Sequence, residues 1–488
     1  MSGLFGVVSK NGDHCAQTLF YGVDYHSHLG TEFGGMAILG KDFKRQIHSI
    51  AQGQFKAKFF EDYREMSGSK GIGAISDSDE QPIYFNSKLG PFCLVTAGLI
   101  ENKEALRAFC FKKNVSFCEV SSGGVNTTEL IGKLISLEDN FIDGVEKMFD
   151  VIEGSCSFLL LNHEGIYAVR DRAGYTPLVV GEKEDQWAVA MESSALINLG
   201  FEIKKYLEPG EIVLITEKGL TVRKPGLAKK QICSFLWIYT GFPASSYENI
   251  NVEVVRERCG RALAKKDKDI EIDVVAGVPD SGTAHAVGYA MESKKPYRRP
   301  LIKYTPGYGR SYTPPSQETR DLVATMKLVP VCDIIKGNRI VVCEDSIVRG
   351  TQLKNYTVKK LWDAGAKEIH VRPACPPLMF PCKFCLSTRS IHELAARKAI
   401  KAIEGKDLED ISEYLDPATK KHKKMVEWIA RDIEVTTLRF QNLEDMIKAI
   451  GLPKEKLCLY CWTGECPGKK NINSMKKGKS KKEQLKAS

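Results

Sequence analysis

The chain has no apolar run near the roughly 20 residues that a membrane-spanning helix requires. The stretch 4–8 (LFGVV) is too short for a secretory h-region and has no basic leader, so a cytoplasmic protein is expected. No internal repeat is present, which excludes a solenoid or propeller. Histidine is scarce, at nine residues, and no pair has a spacing that suggests metal binding; His26 and His28 read as a polar surface pair. Aromatic residues do not alternate with the lysines after Gly468 (Lys469, Lys470, Lys476, Lys477, Lys479, Lys481, Lys482, Lys486), so no base-stacking platform is built there. The formal charge of +9 therefore does not imply a nucleic-acid partner, and 468–488 reads as a basic, disordered tail.

What is present is a chain of 488 residues, 43% hydrophobic and 27% charged, long enough for two or three globular domains. Fifteen cysteines without a leader do not read as a disulfide framework; they are buried small hydrophobes or part of a metal or cluster site. Up to about residue 230, short strand-like runs (3–8, 34–39, 91–97, 156–162, 165–169, 186–191) alternate irregularly with helical stretches (126–137, 141–151). That order predicts an α+β layered domain. From 231 to 406 the rhythm becomes β-α-β: strands at 270–276, 338–343 and 368–373, helices at 284–292 and 352–364, and Gly365 placed to close the latter. A parallel sheet with helices on both faces is expected. Residues 407–467 read as mostly helical.

The chemistry concentrates at the end of the second predicted strand. Two adjacent carboxylates, Glu344 and Asp345, are costly there unless something binds them, and ribose hydroxyls with Mg²⁺ nearby would do so. Ser346, Gly350 and Thr351 lead into a helix N-terminus, where free N–H groups favour a phosphate. An ordinary strand–turn–helix with its acids facing water is the alternative.

The run 340–351 (IVVCEDSIVRGT) resembles the phosphoribosyl pyrophosphate (PRPP) motif of the glutamine PRPP amidotransferase family, which makes 5-phosphoribosylamine in purine synthesis. Residues 277–283 (GVPDSGT) are similar to its pyrophosphate loop, and 303–317 to its flag loop. The first acid is Glu344 where the family usually has Asp. The resemblance reaches to about Cys466. It implies an N-terminal-nucleophile-type stacked-sheet domain (1–230), a type I phosphoribosyltransferase domain (231–406) and a helical C-terminal region (407–467). It places PRPP against Asp280, Ser281, Gly282, Thr283, Glu344, Asp345, Ser346, Ile347, Val348, Arg349, Gly350 and Thr351. Mg²⁺ would sit near Ser281, Glu344 and Asp345, and Lys303 and Arg310 would be catalytic lid cations.

In the same family the N-terminal domain is a glutaminase with an exposed N-terminal cysteine as nucleophile. Here Ser2 stands in its place. The histidine–arginine segment that binds glutamine aligns with Ala74, Ile75 and Ser76, and the oxyanion-hole Asn-Gly-Asn with Ala97, Gly98 and Leu99. The aspartate that holds the glutamine amine aligns with Thr127, and a further arginine with Leu29. A glutaminase fold without its reaction is expected.

Cys458 and Cys461, followed by Trp462, resemble the cluster motif of the family's iron–sulfur branch, with Cys233 and Cys382 at the two remaining ligand positions. That resemblance implies a [4Fe–4S] cluster. A Cys₄ zinc site built from Cys382, Cys385, Cys458 and Cys461 is the competing reading; Cys93, Cys110, Cys118 and Cys156 read as structural thiols. The expected activity is Mg²⁺-dependent phosphoribosyl transfer from PRPP to ammonia or another amine, in a homo-oligomer open to purine-nucleotide inhibition. The alternatives are a non-catalytic PRPP- or nucleotide-binding regulator and a full glutamine-dependent enzyme using Ser2.

Overall fold

The computed structural model describes residues 2–121, 124–304, 326, 328–385 and 390–465. The strand Gly3–Ser9 shows how the first layers arise. Its alternate side chains Leu4 and Val8 enter a core between two sheets, while Phe5 and Val7 enter a core beneath helices. Gly6 lies between them at the closest approach; an added Cβ would sit 3.1–3.2 Å from Val189, Ile166 and Leu159 side chains. The strand is central in a seven-stranded antiparallel sheet, between Gln186–Ala190 and Lys70–Ser76. A second, six-stranded antiparallel sheet contains Gly90–Ile100, Gly154–Leu161 and Ile166–Val169. Helices cover both outer faces: Ala16–Asp24 on the first sheet, and Lys103–Lys112, Thr127–Ile135 and Phe141–Val151 on the second. The result is the expected stacked-sheet layer between helices.

The second unit is a parallel sheet in the order Val274–Gly277, Arg339–Glu344, Glu368–Pro373, Thr437–Leu438. Alternation again divides the strands. Val275, Val341 and Cys343 pack toward Val252–Ala264, Thr283–Ser293 and Leu443–Ile450; Val274, Ala276, Ile340 and Val342 pack toward Ala395–Glu404 and Lys420–Asp432. Both faces are thus covered, as expected of such a sheet.

The strand predicted from residue 270 starts at Val274, because Asp269 and Asp273 before it are tied to Arg439 and Arg339 in ion pairs. The helix predicted over 352–364 runs unbroken over 351–363, with a π-helical stretch at Leu353–Val358 before Lys359–Asp363, and Gly365 closes it at φ 86° as expected. The mostly helical region 407–467 also contributes two short pairings: Thr437–Leu438 extends the parallel sheet and Leu457–Cys458 pairs in parallel with Ile232–Cys233. No helix among the described residues is long and apolar enough to cross a membrane.

His26 and His28 are not a surface pair. His26 is fully buried, its Nδ1 2.8 Å from the Gly22 carbonyl and its Nε2 accepting from the Glu192 amide. His28 Nε2 lies 2.9 Å from Glu192 Oε1, and Tyr247 donates its hydroxyl to the same carboxylate. Glu192 therefore ties the stacked sheets to the segment 242–247. Burial alone would push its carboxyl up, but the His28 hydrogen bond and charge, with a bond from Ser245, outweigh burial and hold it below the ordinary range. A depressed carboxylate contributes stability above the unfolded value of about 4.3, and that contribution is lost as pH falls through the folded value. Glu192→Gln is thus expected to lower stability by about 1–3 kcal/mol at pH 7, with the gap to wild type closing under acid. Urea midpoints of both proteins across pH check this, and a gap independent of pH would refute it.

Candidate functional site

Because Val274–Gly277 and Arg339–Glu344 run parallel, the loops that follow them leave the sheet at the same carboxyl end. They touch there: the Val278 amide donates to the Cys343 carbonyl at 3.0 Å, and Ser281 Oγ donates to Glu344 Oε1 at 2.7 Å. Gly282 cannot be another residue in this arrangement, since a Cβ would sit 2.1 Å from the Cys343 carbonyl oxygen. Glu344 and Asp345 are both buried, at 8% and 5% exposure. Burial first, and the neighbouring Asp345 charge second, push the Glu344 carboxyl well above its usual range. In the ligand-free protein this pair favours a bound proton; a hard cation or donating hydroxyls would meet the same demand. The oxygen donors of Ser281, Glu344 and Asp345 fit a divalent cation such as Mg²⁺ in type.

Ser346 donates to Asp345, Ile347 is buried, and the Val348 carbonyl accepts from the Ala395 amide at 2.7 Å. Gly350 has a φ of 80°, the left-handed turn that lets the chain enter the helical segment beginning at Thr351. Arg349 points away to Glu393, 2.6 Å from its carboxylate. Lys303, at the end of the strand Leu301–Lys303, pairs with Asp280 at 2.7 Å, and Thr283 opens the helix Thr283–Ser293. Arg310 and residues 305–317 of the predicted lid lie outside the described residues. One neighbour escaped the sequence reading: Arg256 is 4% exposed and donates to the Trp237, Tyr239 and Gly241 carbonyls. Burial draws its guanidinium below the ordinary range, opposed most by the Asp345 carboxylate, so it is a fixed cation behind the acidic loop. Nothing in its local sequence marks it, since the helix Val252–Ala264 carries four other arginine and glutamate positions of similar appearance.

A second concavity, about 240 Å³, lies at the N-terminus. Its lining includes Ser2, Ser76, Thr96, Gly98, Leu99 and Thr127, so residues aligned to the glutaminase machinery do converge in space. Among the described residues no arginine lines it, and the cations of its lining are Lys103 and Lys383. Leu29 is buried instead of facing the cavity. Asp77 and Asp79 contribute carboxylates beside Ser76, and Thr127 donates its amide to Asp79 at 3.3 Å.

The far wall of that cavity is the segment 381–385, including Cys382 and Cys385. Cys233 and Cys458 are direct partners in the short parallel pairing, and the Met379 and Phe380 amides donate to the Cys461 carbonyl at 2.9 and 3.1 Å. These contacts bring Cys233, Cys382, Cys458 and Cys461 together, all buried, and Cys385 joins them. Hydrogen bonds from the Cys385 and Cys461 thiols hold the Cys382 thiol well below its ordinary range. No group of three or more histidine, cysteine, aspartate or glutamate side chains among the described residues is spaced to hold a metal ion; the thiols contact one another, and none of the described cysteines forms a disulfide. The donor chemistry, soft buried sulfur from three distant stretches of chain, fits an iron–sulfur group. Cys93, Cys110 and Cys156 are buried as structural thiols, whereas Cys118 is exposed.

Comparison with known proteins follows the same division. A family model described as a glutamine amidotransferase domain matches residues 71–198. An amidophosphoribosyltransferase of Methanocaldococcus jannaschii is 30% identical, over 97% of this chain and 99% of that protein. One of Pyrococcus horikoshii is 33% identical, over 85% of this chain and 91% of its own length. The solved glutamine PRPP amidotransferase of Bacillus subtilis, complexed with ADP and GMP, superposes with a TM-score of 0.81 at 28% identity, covering 95% of this chain and 97% of that one.

Proposed function

The chain belongs to the amidophosphoribosyltransferase family, and from that premise we propose that it transfers phosphoribosyl from PRPP to ammonia or another amine, its glutaminase reaction having been lost. The observation that carries the transferase half is the contact of Ser281 with Glu344, beside Asp345, at the carboxyl ends of adjacent parallel strands. In this reading the Glu344 and Asp345 carboxylates accept hydrogen bonds from the ribose hydroxyls. Backbone N–H groups of 346–351 and the helix they open hold the 5-phosphate. The loop 278–282 cradles the pyrophosphate, with Lys303 and Arg310 supplying positive charge as it leaves. The amine nitrogen attacks C1 from the opposite face, the C1–oxygen bond to pyrophosphate breaks, and configuration inverts. Mg²⁺ held near Ser281, Glu344 and Asp345 would neutralise charge on the leaving group.

The glutaminase half fails on its pocket, not only its nucleophile. No arginine among the described lining residues offers the glutamine carboxylate a bidentate partner, and with Leu99 in place of asparagine an oxyanion donor is missing. Removal of Met1 would expose Ser2, yet an alcohol is a poorer nucleophile than a thiol near neutral pH. Ser2→Cys is therefore expected to restore no glutamine-dependent turnover, since one lost oxyanion donor alone costs a factor of roughly 10² to 10³. Glutamine-dependent amine formation by that variant would overturn the pocket argument.

Cys233, Cys382, Cys458 and Cys461 would hold a [4Fe–4S] cluster, whose chemistry here is to crosslink the C-terminal segment to both units. Homo-oligomeric assembly and regulation by purine nucleotides accompany this reading; the latter is supported by a Bacillus subtilis relative solved with ADP and GMP. Pyrophosphate release from PRPP by anaerobically purified protein tests the whole. Turnover with ammonia but not glutamine is expected. Turnover with glutamine would restore the full amidotransferase, and silence with both would leave a PRPP-binding regulator.

A further inference from the structure

A four-thiolate cluster needs four cysteines, and the described residues bring five to the site. The fifth, Cys385, is 4% exposed and its thiol hydrogen bonds with those of Cys233 and Cys382. Its position follows from the turn after Pro381. The amides of Phe384 and Cys385 both point at Cys382 Sγ, at 3.4 and 3.5 Å, which folds the C-x-x-C segment back on itself. Phe384 locks the turn, stacking on Tyr175 with ring centroids 4.1 Å apart and meeting Tyr460 edge-on at 5.6 Å. Tyr175 in turn accepts, through its carbonyl, the amide of Cys233 at 3.2 Å. The same aromatic contacts that place Cys382 among the other thiols therefore place Cys385 there too.

The remaining members of the group are each held separately. Cys233 and Cys458 are held by their strand register, and Ser234 Oγ donates to the Cys458 carbonyl at 3.0 Å. Cys461 is held by the two amides of 379 and 380. Among the described residues, the segment 381–385 brings one sulfur more than the cluster reading uses, and it lines the Ser2 cavity, with both Cys382 and Cys385 in its wall.

We propose that Cys385 is a fifth thiol of the cluster site, interchangeable with Cys382 as the ligand supplied by the segment 381–385. This rests on the cluster reading above and adds a residue to it. Iron ligation by either sulfur is the same chemistry, a thiolate replacing a thiolate, so no electron is transferred when they exchange. The sulfur left out faces the cavity, where a small reagent reaches it.

Iron and acid-labile sulfide per chain, measured after anaerobic purification, test the proposal independently of turnover. Wild type, Cys382→Ser and Cys385→Ser are expected to carry comparable amounts. Cys458→Ser, and the double variant Cys382→Ser with Cys385→Ser, are expected to lose about 10-fold or more. Loss of iron in Cys382→Ser to the level of Cys458→Ser would overturn the proposal while leaving the cluster intact as a reading. Wild type without iron or sulfide would overturn both. A second measurement needs no variant: iodoacetamide treatment of the iron-loaded wild type, followed by peptide mass spectrometry. Singly alkylated peptides with the label divided between Cys382 and Cys385 are expected, and label on Cys385 alone would refute the exchange.

Discussion

Asp345→Asn is expected to slow pyrophosphate release from PRPP, with ammonia as acceptor, by roughly 10²- to 10³-fold. The carboxylate is one of two buried at the carboxyl end of Arg339–Glu344, where burial strengthens every electrostatic contact a bound substrate makes. The amide that replaces it keeps the shape and one acceptor oxygen but removes the charge. Folding is expected to move the other way. Glu344 is pushed well above the carboxylate range partly by the Asp345 charge, so the pair opposes folding of the free protein as pH rises through that elevated value. Removing the second charge relieves the repulsion, and the ligand-free variant should unfold at an equal or higher urea concentration at pH 7 than wild type. Lost turnover with retained or raised stability marks a site that holds strain for function. Unchanged turnover would remove the acidic loop from the mechanism, and a large fall in stability would make it a structural feature.

The second large effect is structural. Arg372, from the strand Glu368–Pro373, is fully buried, and its Nε contacts Asp267, whose side chain is 1% exposed. Asp267 also accepts from Tyr289 and from Arg439, each at 2.7 Å, while Arg372 donates to the Val371 and Thr437 carbonyls and to Thr437 Oγ1. This network fastens the end of the helix Val252–Ala264 to the edge strand Thr437–Leu438. Asp267→Ala strands a guanidinium in the core and is expected to cost about 3–5 kcal/mol. Asp267→Ala combined with Arg372→Met removes both charges and is expected to recover a large part of that loss. Urea unfolding of the two variants beside wild type distinguishes the cases. Equal destabilisation in both would mean that packing volume, not the uncompensated charge, sets the loss.

Local pattern carried the transferase site. The apolar run 340–343, the acids Glu344 and Asp345 and the small residues that follow are contiguous, so their chemistry and their place at a strand end are legible together. The same holds for 277–283, where Gly282 is demanded by the Cys343 carbonyl against which it packs. The run 3–8 likewise read as a strand, though not that both its faces are buried or which core each would enter.

What is non-local was invisible. Arg256 stands behind the acidic loop because the helix Val252–Ala264 packs against that sheet face, a fact no neighbouring residue encodes. His26 reads as polar and is buried, because Gly22 and Glu192 satisfy both its nitrogens. Thr437 and Leu438 are too few to register as a strand alone; the exposed edge of Glu368–Pro373 supplies the backbone partners that make them one. Cys385 has its C-x-x-C spacing in the sequence, but only the turn locked by Phe384 and Tyr175 sets its sulfur beside Cys233 and Cys382. By itself the sequence determined the family, the two kinds of sheet and the acidic loop, because each is written in adjacent residues. Tertiary structure decided which cation backs the acids, which residues replace the glutamine partners around Ser2, and how many thiols share one site. Those depend on contacts across hundreds of residues, where burial and charge are set by what packs nearby and not by what precedes in the chain.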